Sequence, residues 1–243
     1  MLILQWPMLV FARRTELWFE EGPGRHHSSY TIFIYGREKK NNYDACFTEQ
    51  TTVLDLAKDM PELERNLHTG TRYEIKKAEQ LNLDWKMSDC PTLSECKTML
   101  IAYQAFARKK NISAMHRKRI LNVCKSGNLC ISVSSTKHGV LNTHVYLCDN
   151  QNALLLYSLP GGKNQDRDTE LYANKFHHWK DVAYFKNMGF SRYDFGGINL
   201  EKLPGISNFK LSFGGKTETV YSYIYIHPAY RLWYKLYLKL LGR

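Results

Sequence analysis

The sequence has no uncharged apolar run long enough to span a bilayer, which takes about 20 residues of helix. Met1 to Phe11 is largely apolar, but Gln5, Trp6 and Pro7 interrupt it, and it lacks both a basic start and a small-residue cleavage site. It therefore reads as neither a signal peptide nor a membrane span. The expected location is the cytoplasm, with peripheral contact at the inner face of the membrane compatible with it. No CxxC pair occurs: Cys46, Cys90, Cys96, Cys124, Cys130 and Cys148 are scattered. That removes the usual zinc and redox spacings and points to reduced thiols. A GxSxG elbow is absent as well, and His144 and Cys148, four apart on one expected strand, are better explained by packing than by nucleophilic catalysis. Leu159-Pro160-Gly161-Gly162-Lys163-Asn164 is not a Walker loop, since Tyr157 stands at the first glycine position and Asn164 replaces the Ser or Thr.

What is present is a basic chain with enough apolar content for a core. Its 243 residues are 44% hydrophobic, which suits one large domain or two small ones without disulfides. The formal net charge of +11 favours an anionic partner: a nucleic acid, an anionic membrane or a phosphorylated small molecule. Short alternating runs such as Tyr30 to Tyr35 and Thr52 to Leu56, broken by Gly22-Pro23-Gly24 and Asn41-Asn42, predict strands in the first third. A helix is expected from Met60 to about Leu81, with Tyr73 and Ile75 in the core. Further helices are expected over Thr92 to Lys109, opened by a Thr92/Glu95 capping box, and over Ala114 to Lys125, closed at Gly127.

Beyond Gly127 the period changes. Asn128 to Ser134, Leu141 to Cys148 and Ala153 to Leu159 predict an antiparallel meander with turns at His138-Gly139 and Asp149-Asn150. A helix over Thr169 to Asn187, a short strand at Ser191 to Phe195, a strand over Glu218 to Ile226 and a helix over Ala229 to Leu241 complete the pattern. His177, His178 and Trp179 fall inside the long helix, where adjacent histidines point different ways. Packing is the expected role, and no metal site is assigned. No repeat is visible, so the expectation is one domain over 1–243, with 1–90 as a partial amino-terminal half and 91–243 as the core.

Two separated stretches carry a resemblance. Phe190-Ser191-Arg192-Tyr193-Asp194-Phe195-Gly196-Gly197-Ile198 is followed by Gly205-Ile206-Ser207-Asn208-Phe209-Lys210-Leu211-Ser212-Phe213-Gly214-Gly215, and Thr71-Arg72-Tyr73-Glu74-Ile75-Lys76-Lys77-Ala78-Glu79 comes earlier. Together they resemble the signature of the Fem family of peptidoglycan-bridge aminoacyltransferases: an aromatic-Asp-x-Gly-Gly strand end, a Phe-Lys-x-x-Phe-Gly turn and an Arg-x-x-Ile-Arg-Lys-Ala helix. The order of elements is likewise that of the GNAT acyltransferase core. The chain departs from the peptidoglycan enzymes in size, with room for one full domain and at most a partial second.

The resemblance implies an α/β GNAT-like fold of the acyl-CoA N-acyltransferase type, with a central mixed, mostly antiparallel sheet flanked by helices. It implies acyl transfer to an amine of a cell-envelope or glycan precursor, with acyl-CoA or aminoacyl-tRNA as donor substrate and no tightly bound cofactor. Phe209 and Lys210 would meet the donor's reacting end, with Asp194 beside them as a proton acceptor or strand-end anchor. Gly161, Gly162, Lys163, Gly196 and Gly197 are the donor-binding candidates; Arg72, Lys76 and Lys77 are the acceptor-binding candidates. The loop at Gly161 does not match the Arg/Gln-x-x-Gly-x-Gly/Ala pattern of acetyl-CoA enzymes. A non-catalytic GNAT-fold protein that holds RNA or an anionic precursor is therefore the alternative. The carboxy-terminal helix places Arg231, Lys235 and Lys239 in a cationic stripe beside an apolar one; the apolar stripe is expected to close the core sheet with the lysines facing water, the alternative being weak contact with an anionic membrane surface.

Overall fold

The computed structural model describes residues 1–9, 12–20, 31–39, 44–161 and 167–228. The chain opens with strands β1 (Leu2–Leu9), β2 (Ala12–Glu20), β3 (Thr31–Gly36) and β4 (Ala45–Asp55), then helices α1 (Met60–Asn66) and α2 (Thr69–Glu79) and strand β5 (Asp84–Ser88). Helices α3 (Leu93–Lys110) and α4 (Arg117–Lys125) precede strands β6 (Leu129–Thr136), β7 (Gly139–Cys148) and β8 (Asn152–Pro160). Helix α5 (Arg167–Asn187), strand β9 (Arg192–Ile198), helix α6 (Pro204–Leu211) and strand β10 (Lys216–Ile226) follow. The turns expected at Gly22-Pro23-Gly24 and Asn41-Asn42 and the helix expected over Ala229 to Leu241 lie outside the described residues.

The chain divides into two compact units, Met1–Gln50 with Thr219–Arg243, and Thr51–Glu218. In the first, β1 and β2 pair antiparallel, β2 and β3 parallel, and β3 and β10 antiparallel. Leu17 and Tyr223 are fully buried there. So is Glu16, whose carboxylate takes Arg14 Nε at 3.0 Å and Trp18 Nε1 at 3.2 Å, as a buried charge requires.

In the second unit the strand order is β4-β9-β8-β7-β6-β5. Strands β6 to β8 form the expected antiparallel meander, with Asp149 Oδ1 accepting the Gln151 and Asn152 N–H groups in the turn between β7 and β8. Val182 and Phe185 of α5 pack with Tyr146, Tyr193, Phe195 and Phe213 in one core cluster. The capping box of α3 forms as expected: Glu95 N donates to Thr92 Oγ1 at 3.2 Å, and Thr92 N donates to the Glu95 carboxylate at 2.7 Å. Gly127 and Gly189, at φ +72° and +82°, end α4 and α5.

Four local features differ from the sequence reading. The helix expected from Met60 to Leu81 is two helices, because Leu67 is extended (φ −60°, ψ 138°). Arg72 seals the break, its guanidinium donating to the carbonyls of Glu64, Arg65 and Leu67. Tyr73 is 56% exposed rather than in the core; Thr71, Ile75 and Ala78 form the buried face of α2, and a residue two positions from its neighbours on that face points to the other side. Strand β5 was not expected; it pairs antiparallel with β6, Trp85 opposite Ser134. Finally, Phe209 and Lys210 lie on helix α6, not in a turn, with Pro204 in its first turn and Ser212 Oγ donating to the Phe209 carbonyl at 2.7 Å.

Gly214 has φ +75°, and a Cβ there would stand 2.1 Å from the Asn66 carbonyl oxygen. Gly214→Ala is therefore expected to lower the urea midpoint, by more than the ~1 kcal/mol typical of a single substitution, whereas Gly70→Ala, with nothing within 4 Å, should leave it unchanged or raise it. Equal midpoints for Gly214→Ala and wild type would contradict this reading of the turn after α6.

Candidate active site where two strands part

Strands β8 and β9 pair in parallel at only three positions, Asn152 with Arg192, Ala153 with Tyr193 and Leu154 with Asp194. Both run on, β8 to Pro160 and β9 to Ile198, so the ladder ends while the strands continue. Two features end it. The β7–β8 register steps from Val145 opposite Tyr157 to Tyr146 opposite Leu155, leaving Leu156 as the extra residue of a bulge that bends β8. On β9, Gly196 takes φ +72°, a conformation that interrupts a ladder and that a side chain would strain. A Cβ on Gly196 would also lie 2.8 Å from the Leu155 carbonyl oxygen.

Asp194 holds that turn. The residue is 1% exposed; Oδ1 accepts the Gly196 N–H at 2.8 Å and the Thr51 hydroxyl, and Oδ2 accepts Arg192 Nη2 at 3.0 Å. Arg192 is itself anchored by Glu218 at 2.6 Å. Both oxygens of Asp194 are thus engaged, and the geometry is that of the strand-end anchor. Of the glycine pair, Gly196 takes the positive φ, while Gly197 is exposed and offers its carbonyl oxygen to Lys210 Nζ at 2.7 Å.

The two halves of the sequence motif meet here. Helix α6 carries Lys210 to the end of β9, and burial pulls the Lys210 amine down to about 8, the Asp194 carboxylate opposing. Phe209 packs against His178 and Phe213, ring centroids 5.5 Å away in each case. The result is a partly desolvated cation beside the end of the β8–β9 ladder, with an aromatic ring next to it.

Beneath it lies a buried polar chain that the sequence reading missed. His178 Nδ1 is 2.8 Å from the Tyr193 hydroxyl, which is 2.8 Å from the Tyr146 hydroxyl, which donates to Asp181 at 2.6 Å. Asp181 also takes Trp85 Nε1 at 2.9 Å and lies 2.7 Å from His144 Nδ1. The adjacent histidines do point to different strands: His177 Nε2 meets Ser132 of β6 at 2.7 Å, and His178 meets Tyr193 of β9. Burial, then the neighbouring charges, hold both imidazoles well below the ordinary histidine range. Burial pushes the Tyr146 and Tyr193 phenols well up.

His144, His177 and Asp181 stand close enough to consider as metal ligands. However, the His144 and His177 rings are stacked, 3.8 Å apart and 15° from parallel. Ring-nitrogen lone pairs lie in the ring planes, so two parallel planes do not converge on one ion, and the arrangement suits hydrogen bonding.

No protein-family model and no curated protein matches the sequence. Solved structures do match. FemX superposes with TM-score 0.64 over 95% of this chain and 85% of its own, at 12% identity. The carboxy-terminal DUF2156 domain assigned to a lysylphosphatidylglycerol synthetase from Agrobacterium fabrum gives TM-score 0.57, 8% identity, and 98% and 84% coverage. L-PGS from Bacillus licheniformis gives 0.54, 11%, and 99% and 86%. The fold is FemX-like.

Within this FemX-like fold the remaining candidates are not gathered equally. Gly161 donates its N–H to the Leu141 carbonyl at 2.6 Å, and a Cβ there would meet the Val140 carbonyl oxygen at 1.8 Å, so it is a close-approach glycine; Gly162 and Lys163 lie outside the described residues. Arg72 spends its guanidinium on the end of α1. Lys76 is 65% exposed, 3.8 Å from Glu64, and Lys77 lies over the Tyr73 ring. Helix α2 is nonetheless tied to the end of α6, since Thr71 Oγ1 donates to Ser212 Oγ at 2.8 Å.

His177 and His178 give a pH test of the buried chain. Their folded values lie below the unfolded value, so the unfolded chain binds more protons once pH falls through about 6.5, and stability is lost as pH falls further. Each fully titrating histidine contributes about 1.4 kcal/mol per pH unit. Thermal melts from pH 7.5 to 5 should show this loss, with a shallower slope in His177→Gln. Melting that is independent of pH across this range would contradict the burial of neutral imidazoles.

Proposed function

We propose that the protein is an N-acyltransferase that moves an aminoacyl group from an aminoacyl-tRNA ester onto an amine of a cell-envelope or glycan precursor. The observation that carries this reading is the Lys210 cation, half-buried at the parting of β8 and β9 and aligned by the Gly197 carbonyl. The FemX-like fold and the names of its neighbours support it. In the reaction the acceptor nitrogen attacks the ester carbonyl, the C–N bond forms, the C–O bond to the ribose breaks, and the amine proton ends on the departing oxygen or in solvent. No protein nucleophile is needed. The group required is a fixed positive charge near the developing oxyanion and the leaving oxygen, and Lys210 supplies it.

Asp194 in this reading positions rather than reacts: it sets the Gly196 turn and offsets the desolvation of Lys210. Phe209 supplies the apolar wall against which a terminal base or aminoacyl side chain stacks. An ester of tRNA is favoured over a coenzyme A thioester by two features: the loop at Gly161 lacks the acetyl-CoA pattern, and the net charge of +11 suits a polyanion. Gly162 and Lys163 remain donor-loop candidates, and Arg72, Lys76 and Lys77 acceptor candidates, with Arg72 acting through the α1–α2 corner.

Lys210→Met is expected to lower transfer at least about tenfold, the cost of one lost charge-stabilising donor, with an unchanged melting temperature. About nine tenths of Lys210 is charged one pH unit below its titration point, so the Lys210-dependent rate should fall as pH rises through about 8, and Lys210→Arg should extend the plateau upward. Unchanged turnover in Lys210→Met would remove the residue from the mechanism. Tight binding of aminoacyl-tRNA with no transfer would instead favour the non-catalytic binding protein.

A further inference from the structure

No Asp or Glu occurs between Glu95 and Asp149, a stretch that holds most of α3, all of α4 and their connector. Within it, Arg108, Lys109 and Lys110 end α3, and Arg117, Lys118 and Arg119 begin α4. The first three sit at the helix end that cations favour, where the dipole alone accounts for them. The second three sit at the wrong end: the amino terminus of a helix already carries partial positive charge, and α4 has no acidic residue in its first turn. Arg108, Lys109, Lys110, Arg117 and Lys118 are exposed and have no carboxylate partner among the described residues. Such a cluster works against the local preference of the helix and against its own repulsion, which is the mark of a surface kept for an external anion.

We infer that this corner is a docking surface for the sugar-phosphate backbone of an RNA, and, resting on the proposed function, for the body of the donor tRNA whose aminoacyl end lies at Lys210. The surface points to RNA rather than a lipid bilayer because it has almost no apolar part. Ile112 is the one exposed large hydrophobic residue in the 108–119 segment, at 48%, while Met115 and Ile120 are buried at 7% and 0%; a helix pair that lies in a membrane interface needs a continuous apolar face. Asn111, Ser113 and His116 instead intersperse hydrogen-bonding groups among the cations, as contacts to phosphate and ribose oxygens use.

The test compares two variants of equal charge. One changes Lys110, Arg117 and Lys118 to Gln; the control changes Lys97, Lys125 and Lys137, exposed lysines of the same acid-free stretch, to Gln. Binding of deacylated bulk tRNA is measured by fluorescence anisotropy from about 50 to 200 mM salt, the range over which phosphate contacts are strongly screened. The corner variant is expected to bind at least about fivefold more weakly at low salt, with the slope of log K against log salt shallower by about 0.9 for each phosphate it no longer neutralises, while the control stays near wild type. Equal weakening in both variants would show a net-charge effect and overturn the inference. So would loss of binding to anionic phospholipid vesicles with tRNA binding intact. Wild type that binds no tRNA overturns both this surface and the tRNA donor; wild-type tRNA binding retained in the corner variant, with Lys210→Met inactive, overturns the surface alone.

Discussion

The carboxylate of Asp194 is the point on which the site depends. A buried charge must be fully partnered or it destabilises the fold, and Asp194 meets that demand with the Gly196 N–H, the Thr51 hydroxyl and Arg192. Meeting it fixes the left-handed turn at Gly196, where the ladder between β8 and β9 ends after three paired residues. The bulge at Leu156 bends β8 at the same level. The interruption of the ladder is therefore built into the sheet, and the same carboxylate supplies the negative charge that offsets part of what burial takes from the proton affinity of Lys210.

The layer beneath has a different job. His178, Tyr193, Tyr146 and Asp181 form a chain with no exposure above 2%, crossing from α5 through β9 to β7 and back. His178 and the two phenols are neutral at ordinary pH, and the Asp181 oxygens receive a phenol and an indole and lie beside an imidazole. A network so placed fixes the register of α5 on the sheet, because sliding the helix by one turn would part His178 from Tyr193 and Asp181 from Tyr146. It also sets the wall on which Phe209 rests, so the position of Lys210 along β9 depends on hydrogen bonds well below the surface.

Much of this was legible in the sequence where the signal is local. The α3 capping box needs only residues three apart, and the β6 to β8 meander shows in its alternation and turn residues. Where the signal is non-local it was not legible. His144, Tyr146, Asp181 and Tyr193 lie on three separate elements, and nothing in their spacing says that their side chains meet. Gly196 and Gly197 look alike in sequence, yet Gly196 takes the positive φ and Gly197 supplies a carbonyl. Strand β5 was hidden because Asp84-Trp85-Lys86-Met87-Ser88 is short and rich in charge, and the break at Leu67 was hidden because the residue that stabilises it, Arg72, belongs to the next helix. The Phe209-Lys210 motif was found, but its helix was not, since Pro204 reads equally well as a turn.

In the proposed function a chain of net charge +11 receives a large anion, and Lys210 acts on a carbonyl at its end. The most direct measurement is mass analysis of products after the purified protein is mixed with tRNA carrying a labelled aminoacyl ester and amine-bearing envelope precursors. The result expected is loss of the ester label from tRNA and its recovery in an amide on the precursor. Ester that decays no faster than without protein, together with no amide from acyl-CoA donors, would contradict acyl transfer at Lys210.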